Sequence, residues 1–188
     1  MTYDILLAGV GGQGVLSLAA IIAESAMAEG LNVRQSEVHG MSQRGGGVQA
    51  HLRLSDKTIA SDLIPSGKAD MILAMEPLES MRYLTWLKPD GVVVTAAEPF
   101  VNIGNYPEVD SLYASIKKLP NSCIVKTAEL AKEAGNIKTE NMVLIGAALK
   151  YLPLKKATIE QSVHARFAVK DPKLVDINMK ALELGANA

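Results

Sequence analysis

The stretch Ala8-Gly9-Val10-Gly11-Gly12-Gln13-Gly14 decides the fold, because it joins an apolar segment to a segment of helical composition. Residues 3–7 before it indicate a buried strand, and residues 15–23 after it indicate a helix. The four glycines therefore occupy a strand-to-helix turn, where glycine permits positive φ and close approach to the backbone. The first turn of the helix offers unpaired N–H groups. These suit a phosphate or carboxylate, but the turn equally suits tight packing with no ligand.

The composition limits the functions open to the chain. Its 188 residues, 48% of them hydrophobic, suffice for a single domain spanning 1–188. The net charge of −1 gives no electrostatic argument for nucleic acid or for an anionic membrane. There is no signal-peptide pattern, because Asp4 interrupts the apolar start and no basic segment precedes it. No apolar run reaches the roughly 18 residues that cross a bilayer, so we expect a cytoplasmic protein.

The only cysteine, Cys123, limits the cofactors that this chain can hold. Iron–sulfur clusters take about four thiolates, and the three histidines are widely spaced in the sequence. In a short strand, Cys123 is expected to behave as a small buried hydrophobic residue. We therefore expect neither an iron–sulfur cluster nor a cysteine-rich zinc site, and no metal site in this chain.

Strands and helices alternate along the chain, which predicts an α/β domain of three α/β/α layers with a mostly parallel sheet and a helical C-terminus. Residues 48–54 alternate apolar and polar side chains, which indicates a half-exposed strand with His51 on its solvent face. A turn and a short returning strand at 58–60 follow, so a β-hairpin excursion replaces the helix of a repeating βαβ unit.

A turn is expected at 88–91. Other strands are predicted at 3–9, 31–38, 70–75, 92–95 and 123–125, and helices at 14–28, 76–87, 110–119, 128–134, 140–152, 156–168 and 172–185.

The first glycine loop has the spacing Gly9-x-Gly11-x-x-Gly14 of the dinucleotide-binding fingerprint. Glu37, near the end of the second strand, lies where a ribose-binding carboxylate is expected. A site for NAD or FAD is therefore one interpretation. The segment that follows is rich in glycine and arginine and leads into a hairpin, which argues against it.

The second loop, residues 39–47, is the more specific signal. Arginine can hold a carboxylate or phosphate through two hydrogen bonds, and consecutive glycines let N–H groups form an anion-binding concavity. In a parallel sheet this loop shares its edge with the first loop, which is the edge that ligands favour. A small-anion site and a protein contact remain equally open, and a solvated loop is the alternative to both. The candidate residues here are Ser42, Gln43, Arg44, Gly45 and Gly46.

Two further groups have ordinary structural explanations. A histidine such as His39 more often caps or bonds locally than donates a proton. Glu79 and Arg82 have the i,i+3 spacing of a helical ion pair, which commonly forms at a protein surface.

Taken together, four segments resemble the gamma subunits of 2-oxoacid:ferredoxin oxidoreductases. The motif in residues 39–46, H-G-M-S-Q-R-G-G, is most similar to the indolepyruvate-type members. The resemblance extends in order along nearly the whole chain. The segments are 10–15 (V-G-G-Q-G-V), 36–46, 76–84 (E-P-L-E-S-M-R-Y-L) and 141–146 (N-M-V-L-I-G).

The resemblance implies an activity shared between subunits. The family converts a 2-oxoacid such as indolepyruvate, with coenzyme A and oxidised ferredoxin, to an acyl-CoA, carbon dioxide and reduced ferredoxin. Thiamine diphosphate with magnesium supplies the carbanion chemistry, and iron–sulfur clusters carry the electrons. Because this chain has one cysteine and no G-D-G…N segment, these cofactors are expected in a large partner subunit.

Our hypothesis is that the two glycine loops form one edge of a composite site facing that subunit. Arg44 would neutralise a carboxylate or phosphate, and closure would exclude water from a reactive carbanion. Two alternatives stay open: a purely docking subunit, and a free-standing NAD(P) oxidoreductase. Neutral hydrogen bonds are expected from Gln13, Ser42 and Gln43, and backbone contacts from Gly11, Gly12, Gly14, Gly45 and Gly46.

Overall fold

A computed structural model of the chain describes residues 1–39, 45–169 and 171–188. It contains a six-stranded sheet in the order β2-β3-β1-β4-β5-β6, flanked by helices. The predicted layered α/β class is therefore confirmed. The strands are β1 (Thr2–Val10), β2 (Asn32–His39), β3 (Gly47–Ser55), β4 (Ala69–Ala74), β5 (Leu87–Ala96) and β6 (Ser122–Val125). The helices are α1 (Val15–Ala28), α2 (Pro77–Arg82), α3 (Val109–Lys117), α4 (Thr127–Ala134), α5 (Glu140–Ala148), α6 (Lys156–Ala168) and α7 (Pro172–Ala186).

The sheet is mostly parallel, and its exception is β3. This strand pairs antiparallel with β1, where Ile5 lies opposite Leu52, and antiparallel with β2, where Ser36 lies opposite His51. The pairs β1–β4, β4–β5 and β5–β6 are parallel. The β-hairpin excursion is thus formed by β2 and β3, and it places β3 between β2 and β1.

The predicted returning strand at 58–60 is wrong, since no strand forms there, and an arginine holds the segment that follows across the face of the sheet. Arg53 makes a two-point ion pair with Asp4, through Nε to Oδ1 at 2.8 Å and through Nη2 to Oδ2 at 3.0 Å. Its Nη1 donates to the carbonyl oxygens of Ser61 at 3.1 Å and Leu63 at 3.0 Å. These carbonyls are bound to a side chain instead of to a strand.

Both faces of the sheet are covered. One hydrophobic core packs alternate residues of β1, β3, β4 and β5 against α1, α4, α5, α6 and α7. The other core is smaller and packs Leu6, Ile72 and Val93 against Ile64 and the region around Trp86. Central strands buried on both faces read as continuous apolar runs, as residues 5–8 of β1 do.

His51 is buried at 4% exposure, so its predicted surface position is wrong. Its Nδ1 accepts a hydrogen bond from Ile64 N at 3.0 Å, and its Nε2 lies 2.8 Å from Gln49 Nε2. Burial, followed by the charge of Arg53, lowers the pKa of His51. The alternation of β3 predicted a solvent face that the 56–68 segment in fact covers.

The predicted turn at 88–91 is also wrong, since β5 begins at Leu87. Ala69 of β4 lies opposite Leu87, whereas Met71 lies opposite Val92, so the intervening residues of β5 form a bulge. The preceding helix is shorter than predicted: α2 ends at Arg82, and a 3-10 turn covers Leu84–Trp86.

Helices α5 and α7 cross at very short range. A Cβ atom on Gly146 would lie 2.1 Å from Leu182 O, and one on Gly185 would lie 1.9 Å from Val143 O. Only glycine fits at both positions. This contact anchors α5, whose first residues lie beside the first glycine loop.

Candidate functional site

The first glycine loop joins β1 to α1 and is braced from inside. Gly12 and Gly14 have φ of 106° and 85°, in the left-handed region that favours glycine. Gln13 Oε1 accepts from Val10 N at 2.8 Å, and Gln13 Nε2 donates to Met75 O at 3.2 Å. The side chain predicted to bond a ligand therefore already bridges β1 and the end of β4.

The second glycine loop lies directly against the first. Gly11 N donates to Gly46 O at 2.8 Å, and Gly45 N donates to Gly11 O at 3.3 Å. Asn102 adds a third support, because its Nδ2 donates to Gly45 O at 2.7 Å. The expected common edge is confirmed for the described residues, and the candidates Ser42, Gln43 and Arg44 lie outside them.

A first cavity, of about 600 Å³, opens beside the first loop. Its polar wall includes Glu98 and Glu140, and Thr127 Oγ1 lies 2.7 Å from Glu98 Oε2 and 3.5 Å from Glu140 Oε2. Burial and the charge of Glu98 raise the pKa of Glu140. Two carboxylates beside the loop disfavour a phosphate there. The lining residues are Gly12, Gln13, Gly14, Met75, Glu98, Pro99, Phe100, Ile137, Lys138, Glu140 and Asn141.

A second cavity, of about 340 Å³, opens beside the second loop. Glu79 and Arg82 of α2 lie in its wall, and Glu79 Oε1 accepts from Arg82 Nε at 2.8 Å. The pair is not the surface pair predicted, because the Glu79 side chain is 4% exposed and the Arg82 side chain 46%. Glu79 lies against Gly47 of β3, whose Cβ position is 3.2 Å from Glu79 Oε2, and helical spacing alone does not reveal this contact. The lining residues are Gly45, Gly46, Gly47, Glu79, Arg82, Tyr83, Asn102 and Ile103.

Glu76 organises the wall between the two cavities, a role that sequence reasoning missed. Its Oε2 accepts from Glu79 N at 2.7 Å and so caps α2, which has proline at its first position. Its Oε1 accepts from Phe100 N at 3.2 Å and from the hydroxyl of Tyr106. The sequence Glu76-Pro77 could have indicated that Glu76 caps a helix, because proline often follows a cap. Its contacts with Phe100 and Tyr106, more than twenty residues away, have no local sequence signal.

The dinucleotide interpretation does not fit this geometry. Strand β3 separates β2 from β1, so Glu37 lies two strand spacings, about 9–10 Å, from the first loop's strand. Its carboxylate accepts from Gln35 Nε2 at 3.0 Å at the outer strand of the sheet. The described side chains therefore do not assemble a ribose carboxylate next to the first glycine loop.

The described residues also bear on metals and membranes. Within them, no three His, Cys, Asp or Glu side chains converge in a way that could hold a metal ion, and Cys123 is half-buried. In the same parts of the chain, no helix combines the length and the apolarity that a membrane span needs.

Known proteins resemble this chain along nearly its whole length. The profile of the family described as pyruvate ferredoxin/flavodoxin oxidoreductase matches residues 4–188. Indolepyruvate oxidoreductase subunit IorB from Thermococcus kodakarensis is 40% identical over 99% of this chain and 95% of its own length. Three other archaeal IorB subunits are 35–39% identical to this chain.

Solved structures share the fold. A keto/oxoacid ferredoxin oxidoreductase gamma subunit from Geobacter sulfurreducens aligns with 98% of this chain and 96% of its own, at 26% identity and a TM-score of 0.71. The 2-oxoglutarate:ferredoxin oxidoreductase of Magnetococcus marinus aligns with 99% of this chain at 19% identity and a TM-score of 0.76, and this chain spans 30% of it. The resemblance read from the sequence motifs is confirmed: the chain belongs to the pyruvate ferredoxin/flavodoxin oxidoreductase family.

Proposed function

We propose that this chain is the small subunit of a cytoplasmic 2-oxoacid:ferredoxin oxidoreductase that acts on an arylpyruvate such as indolepyruvate. The complex would cleave the bond between the carboxyl and keto carbons and release carbon dioxide. The acyl group would pass to the thiol of coenzyme A, and two electrons would pass to ferredoxin. The indolepyruvate oxidoreductase subunits among the relatives support the substrate class, because they are 38–40% identical over 99–100% of this chain. The proposal treats residues 1–188 as a single domain of this type.

The residues of this chain do not fit the family's resident cofactors. Cys123 is its only cysteine, whereas a cluster takes about four thiolates. Its described residues also include no three convergent metal-ligating side chains. We therefore assign thiamine diphosphate, magnesium and the iron–sulfur clusters to a large partner subunit. When bound there, thiamine diphosphate supplies carbanion stabilisation.

The observation that supports a role at the active site is the pairing of the two glycine loops. Because Gly11 bonds both Gly45 and Gly46, the loops act as one wall at the carboxyl edge of the sheet. Arg44 immediately precedes this wall in sequence. Our proposal is that the wall closes against the large subunit, with Arg44 neutralising a carboxylate or phosphate. The proposed contact residues are Gly11, Gly12, Gln13, Gly14, Ser42, Gln43, Gly45 and Gly46.

The first test is reconstitution with the thiamine- and cluster-bearing large subunit. The wild-type complex should form acyl-CoA from indolepyruvate, coenzyme A and oxidised ferredoxin, and the small subunit alone should not. Failure of the complex to turn over any arylpyruvate would reject the proposed function.

The second test is the Arg44→Ala variant, with Arg34→Ala as the matched control. Arg34 is 57% exposed on the outer strand and lies 3.7 Å from Asp62. Arg44→Ala should leave the melting temperature unchanged and lower kcat/KM by about tenfold or more, the loss of a charge-assisted contact. Unchanged kinetic constants would remove Arg44 from the site. Loss of association would favour the purely docking subunit.

A further inference from the structure

The second cavity contains a buried carboxylate oxygen without a partner. Glu79 is 3% exposed, and among the described residues no group bonds its Oε2. Its other oxygen, Oε1, is used by Arg82 Nε at 2.8 Å. An unmatched buried acceptor is costly, so native structures rarely keep one without a reason.

The approach to this oxygen is left open by a glycine. A Cβ atom on Gly47 would lie 3.2 Å from Glu79 Oε2, and Gly47 itself is exposed. The residue covering the carboxylate therefore has no side chain, and a small donor group can enter from the cavity beside its Cα.

The other polar groups around the cavity would suit a ligand that carries a hydrogen-bond donor and an acceptor side by side. Among the described residues, the remaining guanidinium N–H groups of Arg82 have no partner. Asn102 uses its Nδ2 on Gly45 O, which leaves its carbonyl oxygen as a further acceptor. Among the described lining residues, one arginine and one glutamate balance each other in charge. A neutral amide, with its N–H beside its C=O, fits this arrangement better than a free cation or a phosphate.

We propose that the cavity formed by Gly45–Gly47, Glu79, Arg82 and Asn102 binds an amide group of the large partner subunit. The amide N–H donates to Glu79 Oε2, and its carbonyl oxygen accepts from Arg82. This assignment rests on the proposed function, since it needs the large subunit. It adds a recognition site beside α2, in a cavity other than the first.

The surroundings favour a polypeptide as the source of the amide. The segment that supplies Asn102 also exposes Phe100 at 43% and Val101 at 68%. Exposed apolar side chains beside a neutral polar pocket are typical of protein interfaces, where one buried hydrogen-bonded contact fixes the register. Pantetheine of coenzyme A also carries amides, and its binding is the competing outcome of the test.

The experiment measures the dissociation constant between the full-length chain and the purified large subunit by calorimetry. Glu79→Gln places an N–H group opposite the incoming donor, and Arg82→Met removes the guanidinium at a half-exposed position. Each should weaken association by roughly tenfold or more. The control is Glu129→Gln, which also breaks an i,i+3 pair, with Lys126 at 3.2 Å, but lies on α4 outside both cavities. It should stay within twofold of wild type.

A pH series separates recognition from a merely structural effect. Burial raises the pKa of Glu79 against the opposing effect of Arg82, with Glu76 and Tyr83 as the other ionisable neighbours. Because a carboxylate oxygen accepts a stronger hydrogen bond than the oxygens of the protonated acid, association of the wild type should weaken as pH falls through that raised value. In Glu79→Gln this component of the pH dependence should disappear.

The outcomes are distinct. Wild-type affinity in Arg82→Met, or in a folded Glu79→Gln, would overturn the amide site, and Arg82→Met decides if Glu79→Gln does not fold. A raised KM for coenzyme A with unchanged subunit affinity would also overturn it, by assigning the amide to pantetheine. If the wild-type subunits do not associate, the proposed function fails together with the site. If they associate and turn over while the variants match wild type, only the site fails.

Discussion

Replacing Gly146 by alanine tests the closest contact in the fold. The added Cβ would lie 2.1 Å from Leu182 O and 2.8 Å from Ala186 N, both of them backbone atoms of α7. Ordinary contact begins at 3.4 Å, so α5 and α7 would have to separate by about 1.3 Å. No side chain can rotate away to relieve this contact.

The cost follows from overpacking. Overfilled cores lose typically 1–3 kcal/mol, and a backbone clash belongs at the upper end, about 3 kcal/mol. Alanine regains about 1 kcal/mol over glycine inside a helix. The net loss of about 2 kcal/mol should lower the melting temperature by about 4–8 °C for a chain of this size.

The assay is urea and thermal unfolding of the isolated chain, followed by circular dichroism. Gly104→Ala is the control, because nothing lies within 4 Å of its Cβ position. The double variant with Gly185→Ala should lose less than the sum of the two single variants, since one shift of α7 relieves both clashes. Wild-type stability in Gly146→Ala would refute the close crossing.

Two further predictions concern the buried ionisable residues Asp4 and His51. Asp4→Asn should lower the free energy of unfolding in urea by about 3 kcal/mol, because it leaves the Arg53 guanidinium without its carboxylate partner. The Arg53 side chain is only 15% exposed, so water cannot fully replace that partner. A loss below about 1 kcal/mol would show that this ion pair contributes little. The lowered pKa of His51 means that the folded state favours the neutral imidazole. The stability that neutral His51 contributes is therefore complete above the unfolded-state pKa of about 6.5. It is lost as pH falls from there towards the lower pKa of the folded state. His51→Gln should remove that acid-side loss when urea midpoints are compared between pH 5 and 8, and identical pH profiles would contradict it.

Features that depend on residues close together in the sequence could be predicted from the sequence alone. The turn between β1 and α1 follows from an apolar run, four glycines and a helical segment that are contiguous in sequence. The family motifs are equally local, and the matches to known relatives confirm them. The common edge of the two glycine loops followed from the direction of parallel strands, and the bonds from Gly11 to Gly45 and Gly46 agree with it.

Long-range contacts determined what the sequence patterns missed. The alternation in β3 describes its two faces, but not that Arg53 holds a loop over the polar one and buries His51. Likewise, the spacing of Glu79 and Arg82 predicts their ion pair, whereas the position of Glu79 against Gly47 of β3, which is distant in sequence, carries no local signal. Strand order is non-local for the same reason, so the position of β3 between β1 and β2 could not be predicted from its own residues.

The segment from Glu98 to Ile103 lines both cavities: Glu98 and Phe100 face the first, and Asn102 and Ile103 face the second. Glu76 holds its middle through Phe100 N, and Glu98 holds its beginning to α4. A group that shifts this segment from one side therefore alters the shape of the other cavity. The edge of the sheet thus presents two cavities with one shared wall, so an occupant of either cavity would act on the other through residues 98–103.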